Sequence, residues 1–260
     1  MDQGSAARQL GGDVPGEWTM SKAIFAACGE QQWSRALGML AGMQRRSVVP
    51  ELVAFNATMS ACTRGLAWDR ALQLLGAMRR CRAACDVVTY GIVIGACSRG
   101  QSWEEAVSLL EKMWQQSVPP NTITVNAAIN ACGRSWHWAA ALALLTSAGC
   151  IRVTPDVVTH NAAMSACAKG QQWAVALQLL GEMRRDRVAL DVITFGTAIS
   201  ACERGRRWAV ALGIFLGMQL KGPAPDVVTY NSTIRALEQG RQWAEALRFP
   251  QRMQQARLEP

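Results

Sequence analysis

Residues 157–191 read VVTHNAAMSACAKGQQWAVALQLLGEMRRDRVALD. The second half places Trp173, Ala176, Leu177, Leu180 and Met183 at i, i+3, i+4, i+7 and i+10, one apolar stripe on a helix. The first half sets Val157, Met164 and Cys167 on one face, with small Ala162, Ala163 and Ala166 between them, so that a neighbouring helix can approach closely. Gly170 stands where this first helix must end, at a position suited to left-handed backbone. Proline two residues before a new unit stops the second helix, as at Pro50, Pro120, Pro155 and Pro225; Cys85 and Leu190 take that place elsewhere. The stretch is therefore two antiparallel helices joined by a tight turn.

The same stretch recurs along the chain. Trp33, Trp68, Trp103, Trp138, Trp173, Trp208 and Trp243 are spaced by 35 residues without a slip. Met43, Met78, Met113, Met183, Met218 and Met253 follow ten residues behind, with Ala148 in the remaining slot. Gly65, Gly100, Gly205 and Gly240 repeat the role expected of Gly170. Residues 1–16 form a flexible N-terminal segment in this reading, and repeats occupy 17–51, 52–86, 87–121, 122–156, 157–191, 192–226 and 227–260. One hairpin cannot cover both of its apolar faces, but stacked neighbours can. The expected fold is all-α: a right-handed α-solenoid superhelix of seven antiparallel helix-turn-helix repeats. Each repeated Trp can bury roughly 150–250 Å², about 4–6 kcal/mol gross at ~25 cal/mol/Å², so core packing is its expected role. Pro250 falls inside the second helix of the last repeat and is expected to break it.

Composition excludes several classes of function. Apolar residues make up 50% and charged residues 18% of the 260, which argues against general disorder. No apolar run is long enough to span a membrane. Residues 1–16 show neither a hydrophobic signal core nor an Arg-rich amphipathic pattern. The net charge of +8 is compatible with a polyanionic partner. Of nine cysteines, Cys62, Cys97, Cys132, Cys167 and Cys202 keep the 35-residue step. Equivalent sites on stacked hairpins lie roughly 10 Å apart, beyond disulfide reach of ~7 Å, so these are expected to be small buried residues in a reducing compartment. Cys81 and Cys85 form an isolated C-x3-C beside only two histidines, too little for a zinc site. No P-loop, GxSxG motif or H-x-E with C-x-x-C is present, so no catalytic residue, metal ligand or cofactor is expected.

The motif D-V-V-T-[YFH]-[NG], followed by a small apolar helix, G-x-x-W-x-x-A-L and a Met ahead of P-D, resembles the pentatricopeptide repeat family. The resemblance covers residues 17–260, and the 35-residue period separates it from tetratricopeptide repeats, which run at about 34. Trp at the seventeenth place departs from the family's usual pattern. The resemblance implies binding of single-stranded RNA, one base per repeat, read by two or three side chains, in a mitochondrion or plastid. It implies that the fifth and last residues of each repeat face the base edge. The second packs against base faces, and a basic thirteenth approaches phosphate.

The fifth place holds Ser21, Asn56, Gly91, Asn126, Asn161, Gly196 and Asn231. Asn and Gly are poor choices inside a helix, and an Asn amide can both donate and accept at a base edge. The last place holds Glu51, Asp86, Asn121, Asp156, Asp191 and Asp226, where Asp or Asn is also a good N-cap; Glu51 fits neither role well. The second place holds Trp18, Val53, Val88, Ile123, Val158, Ile193 and Val228, which either pack on the preceding hairpin or stack on bases. The thirteenth holds Arg64, Arg99, Arg134, Lys169 and Arg204, complementing a helix dipole or tracking phosphates; Gly29 and Gln239 stand there in the terminal repeats. By the resemblance, Asn with Asp favours uracil and Gly leaves selection weak, which implies a pyrimidine-weighted site N-U-N-U-U-N-Y. The rival reading is a protein-binding helical-repeat scaffold, and the end hairpins could also hold a protein partner or a second copy.

Overall fold

The computed structural model describes residues 33–45, 50–81, 83–149, 153–250 and 253, and every regular element among them is helical. The chain divides into two units, Met1–Ala96 and Cys97–Pro260. The first holds α1 (Trp33–Arg45), α2 (Leu52–Arg64), α3 (Trp68–Arg80) and most of α4 (Val87–Arg99). The second holds α5 (Trp103–Gln115), α6 (Thr122–Arg134), α7 (Trp138–Ala148), α8 (Val157–Lys169), α9 (Trp173–Arg185), α10 (Val192–Arg204), α11 (Trp208–Lys221), α12 (Val227–Gln239) and α13 (Trp243–Ala246). First and second helices alternate, and each second helix opens on the periodic tryptophan. Among the described residues no helix is long and apolar enough to cross a membrane.

In the second unit the first helices α6, α8, α10 and α12 pack in succession, and α7, α9 and α11 each touch their own first helix and the next one. Two stacked layers result, with the core between them. Ala36, Ala71, Ala106, Ala141, Ala176 and Ala211 are fully buried, as are Met78, Met113, Met183 and Met218, with Ala148 in the methionine slot. The small residues of the first helices set the spacing. A Cβ added to Gly133 on α6 would lie 3.0 Å from the Cβ of Ala166 on α8, so the two helices meet almost backbone to backbone. Cys62, Cys97, Cys132, Cys167 and Cys202 are buried and free. Burial pushes the thiol of Cys97 up to about 12 and those of Cys132, Cys167 and Cys202 to about 11, which leaves them as protonated packing groups.

The turn between the two helices departs from expectation. No described glycine has positive φ; the residue after it does, at Leu66, Gln101, Gln171, Arg206 and Arg241, and at Trp136 in the repeat that lacks the glycine. The glycines answer a steric demand instead. A Cβ on Gly205 would lie 2.6 Å from Cγ of Trp173, and one on Gly170 2.8 Å from Cγ of Trp138; Gly65 and Gly240 meet Trp33 and Trp208 in the same way. Trp33, Trp138, Trp173 and Trp208 are therefore half-buried spacers, each lying on the turn of the next hairpin. Where Ser135 replaces the glycine, Trp103 stacks on His137 with ring centroids 4.3 Å apart, and Ser135 Oγ donates to the Gln101 carbonyl at 2.7 Å. Trp243 has no such turn against it among the described residues and is 59% exposed.

Pro250 interrupts the last helix as expected. Helix α13 stops at Ala246, a turn covers 247–248, and helical geometry resumes at 249–250. Proline has no N–H to give to the Ala246 carbonyl four residues back. Phe249 is nonetheless buried, 5.1 Å from the Phe215 ring and 6.1 Å from that of Tyr230.

Candidate functional site

The site residues gather where the first helices open. Asp156, Asp191 and Asp226 precede α8, α10 and α12 in extended backbone conformation, which leaves the side chain free to turn back over the first helical turn. The Thr194 N–H donates to Asp191 Oδ1 at 2.7 Å and the Thr194 hydroxyl donates to the same oxygen at 2.7 Å. The pattern recurs at Asp156 with Thr159 (2.8 and 2.8 Å), at Asp226 with Thr229 (2.8 and 2.6 Å) and at Asp86 with Thr89 (2.7 and 2.7 Å). At Asn121 the Thr124 N–H donates to Oδ1 at 3.0 Å, while the Thr124 hydroxyl bridges the Asn121 backbone N–H and carbonyl. These five threonines are completely buried.

The fifth-place asparagines reach these caps from the preceding repeat. Asn161 Nδ2 donates to Asp191 Oδ1 at 3.3 Å. Asn56 Oδ1 lies 2.8 Å from the Thr89 hydroxyl, and the Asn56 and Asn126 amides lie near enough to the Asp86 and Asp156 carboxyls to help hold them down. The structure thus brings together the three Asn–Asp combinations paired from the sequence. Burial pushes the carboxyls of Asp86, Asp156 and Asp191 up, but the threonine donors and the asparagine amide outweigh it and hold all three below the usual 3.8. Among the described residues, Asn126 Oδ1 and Asn161 Oδ1 are buried and accept no hydrogen bond, a condition that costs about 1–3 kcal/mol per group.

Around the caps the surface alternates between apolar and cationic. Val53, Val88, Ile123, Val158, Ile193 and Val228 are 52–72% exposed, so much of each side chain stays open to solvent. Arg64, Arg99, Arg134 and Arg204 are exposed and Lys169 is half-buried. Burial, and after it Arg134 and Arg204, hold the Lys169 ammonium below its usual 10.5, so these three cations feel one another across successive repeats. Among the described residues neither Arg134 nor Lys169 makes a salt bridge. In the second unit a groove of about 360 Å³ is lined by Ile193, Gly196, Asp226 and Val228 together with Lys169 and Arg204. Gly196 leaves the fifth place open there: an added Cβ would only touch Thr229 Oγ1 at 3.6 Å.

Some expected residues stand apart. Ser21 and Trp18 lie outside the described residues. Glu51 makes no side-chain cap hydrogen bond, and Asn231 is exposed with no last-place partner in the sequence. The third-place threonines were assigned no role by sequence reasoning. The signal was present in the D-V-V-T motif, because Asp or Asn followed three residues later by a side chain that can bond back is the spacing of a capping box.

Models of known families match the chain in three places. The PPR repeat family matches residues 86–134 and 155–204. The pentatricopeptide repeat domain matches residues 38–100. The crystal structure of the pentatricopeptide repeat protein PPR10 from maize superposes with a TM-score of 0.66 and 24% identity, over 93% of this chain and 40% of that one. The structure of PPR10 in complex with an 18-nt psaJ RNA element gives 0.59 and 24% identity, over 93% and 39%. The PPR domain of Arabidopsis thaliana protein-only RNase P 1, in complex with tRNA, gives 0.58 and 14% identity, over 68% of this chain and 94% of that one. These likenesses show the helical-repeat fold, and the chain spans about two fifths of the length of PPR10. No curated protein sequence matches the chain.

Proposed function

The chain belongs to the pentatricopeptide repeat family, and on that footing we propose that it binds single-stranded RNA, one nucleotide per repeat, without catalysing a reaction. The observation that carries the proposal is the groove in which second, fifth, thirteenth and last places of successive repeats meet. Exposed β-branched side chains offer apolar faces to a flat base. The Asn amide and Asp carboxylate offer a donor and an acceptor at the height of its edge. Lys169 and Arg204 supply the charge a phosphodiester backbone requires. PPR10 and the PPR domain of protein-only RNase P 1 have both been crystallised with RNA, which supports the ligand class.

Uracil presents one N–H between two carbonyl oxygens, which suits a carboxylate acceptor beside an amide donor. Asn56 with Asp86, Asn126 with Asp156 and Asn161 with Asp191 therefore select uracil. Gly91 with Asn121 and Gly196 with Asp226 select weakly. The site is pyrimidine-weighted, N-U-N-U-U-N-Y, with the chain's N-terminus on the 5′ side. Its biological setting is an organelle, mitochondrion or plastid, where such binding supports RNA processing, stability, editing or translation.

Titration of this oligonucleotide against one with its three U positions changed to A tests the reading, and the U form is expected to bind more tightly. Equal affinity for both would reject the base assignment. With five cations on phosphate, log affinity falls against log salt with a slope near about −3.5, from ~0.7 per contact. A flat salt response would point to a protein ligand instead.

A further inference from the structure

We propose that the buried third-place threonines, Thr159 and Thr194 above all, are positioning residues that set base selectivity by fixing the rotation of the last-place carboxylate. The inference rests on the RNA-binding reading and concerns residues that need not touch RNA themselves.

Three donors converge on one oxygen at Asp191: the Thr194 N–H at 2.7 Å, the Thr194 hydroxyl at 2.7 Å and Asn161 Nδ2 at 3.3 Å all reach Oδ1. None of them reaches Oδ2. The torsion that turns a carboxylate about its own axis is soft, and a backbone N–H is the one donor that an N-cap side chain needs to accept. The hydroxyl is thus a second donor beyond what capping needs, and it comes from a side chain with no exposed surface, whose own position is fixed by packing. It holds Oδ1 inward and leaves Oδ2 as the acceptor on offer. Through the shared oxygen it also holds the Asn161 amide in register with the carboxylate.

The chain contains its own control. At the start of α2 the last-place residue is Glu51 and the third-place residue is Ala54. No side-chain cap forms there, yet the helix opens at Leu52, in the same register as the others. Starting the helix therefore does not require the contact. Thr124 separates the roles further: like Thr159 it accepts the cap's own backbone N–H, but opposite the amide of Asn121 its hydroxyl donates to the backbone carbonyl, whereas that of Thr159 donates to Asp156 Oδ1. The hydroxyl lands on the side chain where that side chain is a carboxylate.

The test uses the whole chain carrying Thr159→Val with Thr194→Val, compared with Thr159→Ser with Thr194→Ser. Affinities are measured for N-U-N-U-U-N-Y and for the oligonucleotide with A at the fourth and fifth positions. The valine variant is expected to lose about fivefold in U-over-A preference, the worth of roughly one hydrogen bond. Its affinity for the A-containing oligonucleotide should stay within about twofold of the unmodified chain, since the stacking and cationic residues are untouched. Serine should keep the preference. NMR titration gives a readout independent of RNA: the Asp156 and Asp191 carboxyls should titrate higher in the valine variant and not in the serine one. A valine variant with unchanged preference overturns the proposal. So does a loss shared equally by both oligonucleotides, which would mark a structural role only. Asp156→Ala with Asp191→Ala separates the two levels. If it erases the preference while valine does not, the threonine proposal falls and the base reading stands; if it too changes nothing, both fall.

Discussion

At their closing ends α8 and α10 run into Gly170 and Gly205, on which Trp138 and Trp173 of the preceding hairpins rest. At their opening ends Asp156 with Thr159 and Asp191 with Thr194 form double-donor contacts. The closing end has no slack. A Cβ on either glycine would intrude on the indole, and the left-handed conformation that glycine suits best is taken instead by Gln171 and Arg206. The opening end has slack, because α2 starts without any side-chain cap. One end is organised by what the stack cannot do without. The other carries polar groups without which a helix of the stack can still start, as α2 does.

The largest effect that could break this contrast is expected from Gly205→Ala. The added methyl must displace Trp173, at a cost of about 1–3 kcal/mol, read as a lowered midpoint in urea or thermal unfolding. Ser135→Ala, at the equivalent place where a Cβ already exists, should fall by far less. Similar losses for the two would show that the glycine is not there for the indole.

At the opening end Asp191→Ala should cost about 1 kcal/mol at neutral pH, and Glu51→Ala almost nothing. The sign of the acid response follows from Asp191 lying below its usual 3.8 when folded. A depressed carboxyl contributes stability that is fully present above the unfolded value and is lost as pH falls through the folded one. The gap between Asp191→Ala and the unmodified chain should therefore begin to close as pH falls past the usual 3.8 and vanish only below the folded value. A gap that persists in acid would assign the loss to packing rather than to the charged cap.

The smallest effect concerns Lys169, a cation at a closing end that also lines the groove. Lys169→Ala should reduce the salt slope of RNA binding by about 0.7 and leave the unfolding midpoint nearly unchanged. An unchanged slope with a lower midpoint would return Lys169 to the stack.

Much of the molecule was legible from the period. The tryptophans mark the first residue of each second helix, the Ala and Met slots are buried, and the periodic cysteines are free, buried thiols. The pairing of Asn161 with Asp191, the last place of its own repeat, was also legible, and these two side chains meet. The glycines were misread because a local rule links a helix-ending glycine to left-handed backbone. Their actual constraint comes from a tryptophan 32 residues earlier, in another hairpin. The third-place threonine was passed over because a hydroxyl inside an apolar-looking helix start has two uses, and the linear pattern does not choose between them.

By itself the sequence determined the hairpin, its 35-residue step and the residues that must be apolar, because helical periodicity and turn chemistry act over a few neighbouring positions. Only the tertiary structure decided that Val158 and Ile193 stay open and that the tryptophans lie on glycine turns. It also decided that three donors converge on one carboxylate oxygen, Asp191 Oδ1. Those outcomes depend on how one hairpin sits against the next, and that distance is set by small residues such as Gly133 and Ala166, whose side chains say little until their backbones are seen to touch.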